Sequence, residues 1–169
     1  MVQLFGLAVI QATNYIRHQC DQGETMIEEL KLLLINDEGE VNHAYQDSEG
    51  YLTIGVGRLI DKRKGGGISH DEAMYLLDND IVKVLTECQR EFPWFHLLDD
   101  VRQIVILSMV FNMGMPNFKG FKKTIQYIKK HQFKEASIEM LDSKWASQVG
   151  PTRSGRLSTI MRTGNLKDL

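Results

Sequence analysis

Apolar residues recur at helical spacing along most of the chain, with one interruption. Ile27, Leu30, Leu33 and Leu34 form a first stripe, which predicts an amphipathic helix ending near Gly39, a residue suited to a C-terminal cap. The period then changes. Leu52, Ile54 and Val56 alternate with Thr53, Gly55 and Gly57, the two-residue repeat of a strand. If the apolar set faces the core, the opposite face carries a threonine and two glycines, a surface without bulk where a flat ligand can lie against backbone. Just ahead of it, Asp47, Ser48 and Gly50 supply turn chemistry. Helical spacing returns at Ser69, which forms a capping box with Glu72. Ala73, Leu76, Leu77, Asp80, Ile81, Val84 and Leu85 then share one face of a helix running to about Arg90. From Leu97 onward the pattern is helical, punctuated at Gly114, Pro116, Gly120 and Gly150-Pro151, with Trp94 and Trp145 expected as core anchors.

Residues 1–25 stand apart. Phe5, Ala8, Val9, Ala12 and Ile16 suit one short amphipathic helix, and Asp21-Gln22-Gly23-Glu24-Thr25 reads as a linker. No basic residue precedes the apolar run 4–10, and no small-residue cleavage pattern follows it, so a secretory signal is a poor fit. Gln11 and Asn14 cut that run well short of a membrane span. The division expected is an extension at 1–25 and one domain at 26–169. Within that domain a sheet lobe covers about 26–68, a connecting helix about 69–91 and a helical lobe about 92–169. Membrane contact is assigned, if anywhere, to residues 1–25.

Composition narrows the class. With 169 residues, 43% hydrophobic and only 3 Pro, the chain is long and apolar enough for a real core and is neither collagen-like nor generally disordered. Cys20 and Cys88 cannot build a disulfide framework and are expected as free thiols. His18, His43, His70, His96 and His131 share no ligand spacing with them, so neither a metal nor another cofactor is expected. Charge is divided along the sequence. Residues 1–118 carry 9 Lys/Arg against 18 Asp/Glu, and residues 119–169 carry 11 against 4, for a net −2. The basic part suits a polyanion such as an acidic cell wall. Lys119, Lys122, Lys123, Lys129 and Lys130 fall at helical spacing, which favours a solvated or wall-facing surface over a nucleic-acid interface. Lys62-Arg63-Lys64-Gly65-Gly66-Gly67 reads as a solvated loop and lacks the pattern of a phosphate cradle.

The candidate chemistry lies in the non-helical interruption. Glu38 falls where a helix ends, Asp47 where a hairpin turns, and Thr53 on the glycine-lined strand face. Cleaving a glycosidic bond needs one protonated carboxyl for the leaving oxygen and a second, ionised one on the other side of the sugar. The negative end of a helix dipole disfavours ionisation of Glu38, whereas a polar turn favours the charged form of Asp47. That difference suits a division of labour between them. Taken alone, such carboxyls are more often surface or capping groups.

The full string Asn36-Asp37-Glu38-Gly39 through Tyr45-Gln46-Asp47-Ser48-Glu49-Gly50-Tyr51-Leu52-Thr53-Ile54-Gly55-Val56-Gly57 closely resembles the catalytic stretch of the T-even phage lysozymes, glycoside hydrolase family 24. The family spacing of Glu, eight residues, Asp, five residues, Thr is met at 38, 47 and 53. Ile68-Ser69-His70-Asp71-Glu72-Ala73, Met109-Val110-Phe111-Asn112-Met113-Gly114, Ser143-Lys144-Trp145 and Pro151-Thr152-Arg153 through Arg162-Thr163-Gly164 match in register downstream. The resemblance covers about 26–169. It implies an α+β, mainly helical, bilobal lysozyme-like fold: a small antiparallel sheet lobe, a long connecting helix, a helical C-terminal lobe and a cleft between the lobes. It implies a monomeric muramidase acting on bacterial peptidoglycan, an endolysin that accumulates in the host bacterial cytoplasm and attacks the periplasmic wall after release.

In that resemblance Glu38 matches the general acid, and Asp47 with Thr53 matches the pair that positions water in an inverting reaction. Arg153 matches the arginine that pairs with the catalytic glutamate. Leu59, Phe111, Thr124 and Glu139 match sugar-contacting positions, although the residues alone would make Phe111 simple core packing. Two positions depart from the family pattern. Arg58 stands where the prototype has a histidine ion-paired to an aspartate, here Asp80, which predicts an Arg58–Asp80 pair indifferent to pH over the titration range of a histidine. Glu139 stands where the prototype has asparagine. Two other functions compete: a lytic transglycosylase, against which Asp47 and Thr53 argue, and a non-catalytic wall-binding protein, which has no need of Glu38, Asp47, Thr53 and Arg153 together.

Overall fold

The computed structural model describes residues 27–168, in two compact units that divide after Ser69. The expected helix and linker of residues 1–25, and Cys20 with them, lie outside the described residues.

In the first unit a helix, α1, covers 27–38 and ends on Glu38. Gly39 follows with φ 76° and donates its N–H to the Ile35 carbonyl at 3.0 Å, closing the helix where its pattern stops. Three antiparallel strands come next: β1 (Val41–Gln46), β2 (Leu52–Gly55) and β3 (Arg58–Leu59), in that order across the sheet. Thr53 is the middle of this ladder, opposite Tyr45 on one side and Leu59 on the other. Strand β2 forms where its pattern places it, but its burial does not alternate as expected, Ile54 and Gly55 both being half-buried. Thr53 is 4% exposed while Leu52 is 42% exposed, and Val56 has left the strand for the turn into β3. A four-residue central strand is shielded mainly by its two flanking strands, and the residue paired to both is the one they cover. Beyond β3 the chain makes a single 3-10 turn, Lys62–Lys64, capped by the Asp61 carboxylate, which accepts from the Arg63 N–H at 2.9 Å.

The second unit is helical. It comprises α2 (His70–Glu91), a 3-10 turn (Phe95–Leu97), α3 (Asp100–Met113), α4 (Met115–Phe118), α5 (Lys122–Lys129), α6 (Phe133–Leu141), α7 (Lys144–Val149), α8 (Pro151–Thr163) and a last 3-10 turn (Leu166–Asp168). The breaks fall where Gly114, Gly120 and Gly150-Pro151 place them, Pro116 and Pro151 both lying in the first turn of a helix where a missing N–H costs nothing. Val105, Ile106, Met109 and Val110 of α3 are wholly buried, and around them close Phe118, Ile128, Met140, Trp145, Ile160 and Met161 from the later helices. The face predicted for α2 is only half realised: Val84, Leu85 and Cys88 pack on the core, whereas Leu76, Leu77 and Ile81 are exposed. Burial, followed by the neighbouring Glu87 carboxylate, pushes the Cys88 thiol up to about 12, so the sulfur behaves as core material. Trp145 is an anchor as expected, its indole N–H donating to Asn112 Oδ1 at 3.1 Å, while Trp94 is half-buried at the core's edge.

Candidate active site

Glu38, Asp47 and Thr53 all lie in the first unit. Glu38 is the last residue of α1, and its carboxyl lies over the β2–β3 turn: a Cβ built on Gly57 would stand 3.5 Å from Glu38 Oε2. Gly57 itself has φ 66°, a left-handed conformation that disfavours any other residue there. The two glycines that alternate with β2 thus serve the turn beside Glu38.

Asp47 and Thr53 are tied to one residue. Asp47 Oδ1 accepts from the N–H of Glu49 at 2.9 Å and of Tyr51 at 2.8 Å, an Asx-type closure of the hairpin. The Tyr51 carbonyl in turn accepts from the Asp47 N–H at 2.9 Å and from Thr53 Oγ1 at 3.4 Å. The Tyr51 main chain therefore fixes the carboxylate with its donor and the hydroxyl with its acceptor. The turn leaves Asp47 Oδ2 outside these bonds, an acceptor that a water or hydroxyl can use.

Leu59 pairs with Thr53 across the ladder and is half-buried. Arg58 donates from Nε and Nη2 to the Gly67 carbonyl at 3.3 and 3.2 Å. Asp80, on α2, accepts from Lys83 Nζ at 3.1 Å.

The remaining predicted residues belong to the helical unit. Arg153 is half-buried in the first turn of α8. Thr124 and Glu139 line a cavity of about 650 Å³ with Phe121, Lys123, Ser143 and Trp145. Thr124 is 2% exposed, and Glu139 faces Lys123 Nζ at 3.5 Å, so this cavity holds both signs of charge on an aromatic floor. Phe111 does not pack in the core. It is 48% exposed and borders an apolar groove of about 280 Å³ with Leu77, Ile81, Val84 and Ile104. Its neighbours Met109 and Val110 take the inward positions of α3, which turns Phe111 outward.

Comparison with known proteins decides the family. The phage lysozyme family model matches residues 36–159, which includes Glu38, Asp47, Thr53 and Arg153. The chain belongs to the phage lysozyme family. It is 32% identical to probable T4-type lysozyme 2 of Dictyostelium discoideum over 85% of this chain and 99% of that protein. Probable T4-type lysozyme 1 of the same organism is also 32% identical, over 83% and 98%. The pre-baseplate central spike protein Gp5 of Enterobacteria phage T4 is 26% identical over 80% of this chain but only 28% of its own length. Membership makes the chain a lysozyme-like cell-wall hydrolase with the α+β fold described above.

For a phage lysozyme, the sequence reading missed two residues of the site's surroundings, Asp61 and Arg63. Arg63 lies in the stretch 62–67 read as a solvated loop, and Asp61, one residue ahead of that stretch, carries no assignment in that reading. Asp61 is 4% exposed, and the Arg63 side chain and the Leu52 amide hold its carboxyl well below the usual carboxylate range. The available signal was an aspartate one residue ahead of a basic run, the position of a capping residue.

Proposed function

We propose that this lysozyme is an endolysin that hydrolyses the β-1,4 bond between N-acetylmuramic acid and N-acetylglucosamine in bacterial peptidoglycan, with inversion. The observation that carries this reading is the shared tether of Asp47 and Thr53 on Tyr51, in the unit that also holds Glu38. Glu38 gives its proton to the glycosidic oxygen as the bond from the muramic acid carbon breaks. A water held by Asp47 and Thr53 attacks that carbon from the opposite face and loses its proton to Asp47. Thr53 is buried and its hydroxyl already bonds to a carbonyl, so it meets the water with lone pairs at a fixed position. Arg153, Arg58 and Asp80 are the supporting residues of the reaction. Leu59, Phe111, Thr124 and Glu139 contact the glycan. The enzyme acts as a monomer, accumulating in the host cytoplasm until it reaches the wall.

Purified peptidoglycan digested by the wild type should yield muramic acid reducing ends by mass spectrometry. Glu38→Gln should slow their appearance by at least ~10²-fold, the loss expected for a general acid. Anhydro ends would make the enzyme a transglycosylase, and no cleavage by folded wild type would leave a wall-binding protein.

A further inference from the structure

The loop after β3 closes on the hairpin, with the Asp61 carboxylate buried and the Arg63 side chain 66% exposed. Arg63 sends its Nε to Asp61 Oδ1 at 2.9 Å and its Nη2 to Asp61 Oδ2 at 2.6 Å, and the same Nη2 donates to the Gly50 carbonyl at 3.0 Å. Asp61 Oδ2 accepts from the Leu52 N–H at 3.1 Å. Between those two anchored residues, the Tyr51 ring lies under the Arg63 guanidinium at 5.1 Å and the Lys64 ammonium at 4.5 Å. Gly50 is therefore held by Arg63, the Tyr51 ring is covered by Arg63 and Lys64, and Leu52 is held by Asp61. Tyr51 is also the residue whose N–H holds Asp47 and whose carbonyl holds Thr53.

The loop is itself locked. The Gly66 and Gly67 N–H groups return to the carbonyls of Asp61 and Leu59 at 3.0 and 3.3 Å. A Cβ on Gly66 would come within 2.7 Å of the Leu59 carbonyl oxygen, so the turn is packed against backbone with no slack.

We propose that Asp61 and Arg63 are positioning residues for hydrolysis: as a fork-and-carboxylate clamp they hold the Tyr51 peptide, and through it the Asp47 carboxylate and Thr53 hydroxyl, in the relative placement that orients the attacking water. The proposal rests on the roles given above to Asp47 and Thr53. Neither clamp residue touches substrate. Their effect is on the chemical step, because a water displaced by a fraction of an ångström is bound as before and attacks less often. Binding of the glycan, made elsewhere, is left alone. Arginine is required because one planar group must serve both carboxylate oxygens and a carbonyl, which a lysine ammonium cannot do in this geometry.

The test is steady-state hydrolysis of purified peptidoglycan by wild type, Arg63→Ala and Arg63→Lys, with melting temperatures in parallel. Activity of the wild type with muramic acid reducing ends verifies the underlying reading; its absence would remove that reading and not the clamp geometry. Given an active wild type, both variants, assayed at a temperature where each is fully folded, should lose about 10-fold or more in kcat with KM within about twofold. Arg63→Lys, which keeps a cation beside Asp61, should melt close to wild type while retaining the kcat defect. A stability role alone predicts kcat equal to wild type in the folded variants, and that result overturns the proposal, as does a loss confined to KM. If Arg63→Ala fails to fold, Arg63→Lys decides the question by the same criterion.

Discussion

Among the described residues of the first unit, Asp61 is the carboxylate whose environment most strongly favours its charged form. In the unfolded chain an aspartate takes up a proton near pH 3.9. In the folded protein, the Arg63 side chain first and the Leu52 N–H second keep the group ionised well below that. The stability this confers is therefore complete above about pH 4 and is lost as the pH falls from there toward the depressed folded value. Asp61→Asn should flatten that acid limb. Urea midpoints measured at intervals from about pH 2.5 to about pH 7 will check this, and parallel pH dependences in variant and wild type would contradict it. At this scale the sequence was only partly legible. Glu38, Asp47 and Thr53 could be picked out because their spacing is a motif, with Glu38 at a helix end, Asp47 at a hairpin turn and Thr53 on a strand face. Asp61 and Arg63 were legible only as a capping aspartate ahead of a basic run, because what ties them to the hairpin is the Leu52 amide and the Gly50 carbonyl, and main-chain groups leave no trace in residue type. Phe111 misled the residue-level reading for a similar reason: an apolar helix such as α3 shows which residues are hydrophobic but not which of them the neighbouring helices cover.

The helices and strands were legible where the chain marks its own ends. Gly39, Gly114, Gly150 and Pro151 all fall at observed boundaries, since capping and the absent proline N–H act locally. Which face is buried depends on neighbours, and there β2 and the first half of α2 departed from their patterns. Elements are also joined by side chains that no periodicity reports. Arg102, on α3, donates from Nε to the Met161 carbonyl at 2.9 Å and from Nη2 to the Arg162 carbonyl at 3.2 Å. It also pairs with Asp99 at 2.6 Å and lies 3.8 Å over the Phe133 ring of α6. One side chain thus satisfies carbonyls in the last turn of α8, which α8 itself leaves open. Arg102→Ala should destabilise the protein by about 1–3 kcal/mol, because the Met161 and Arg162 carbonyls lose a charged donor, while Asp99, 44% exposed, keeps its bond from the residue-102 N–H. Chemical unfolding will measure it. A change under about 0.5 kcal/mol, typical of a surface site, would show that water replaces the arginine at no cost.

Over the whole molecule, charge does not follow the two units. Residues 1–69 carry 6 Lys/Arg against 10 Asp/Glu, and residues 70–169 carry 14 against 12. The division seen along the sequence runs instead through the helical unit, with 3 basic and 8 acidic residues in 70–118 and the basic excess in 119–169. Attraction to an anionic wall then rests on α5 to α8, where Lys122, Lys129, Lys130 and Lys144 are exposed. Co-sedimentation with cell walls should weaken steadily from about 0.05 to about 0.5 M salt as screening shortens the reach of those charges. Binding that holds constant across that range would assign retention to the glycan contacts alone. The tight turn at Gly66 has a different consequence, for anyone who would rebuild this chain. A lysine-rich stretch ending in three glycines invites use as a site for a grafted peptide or for new termini in a circular permutant. Here the stretch is folded back on the carbonyls of Leu59 and Asp61. An insertion at 61–67 would break the bonds that Asp61 and Arg63 make to Leu52 and Gly50, so the hairpin carrying Asp47 and Thr53 would lose its hold while the core of the helical unit is untouched.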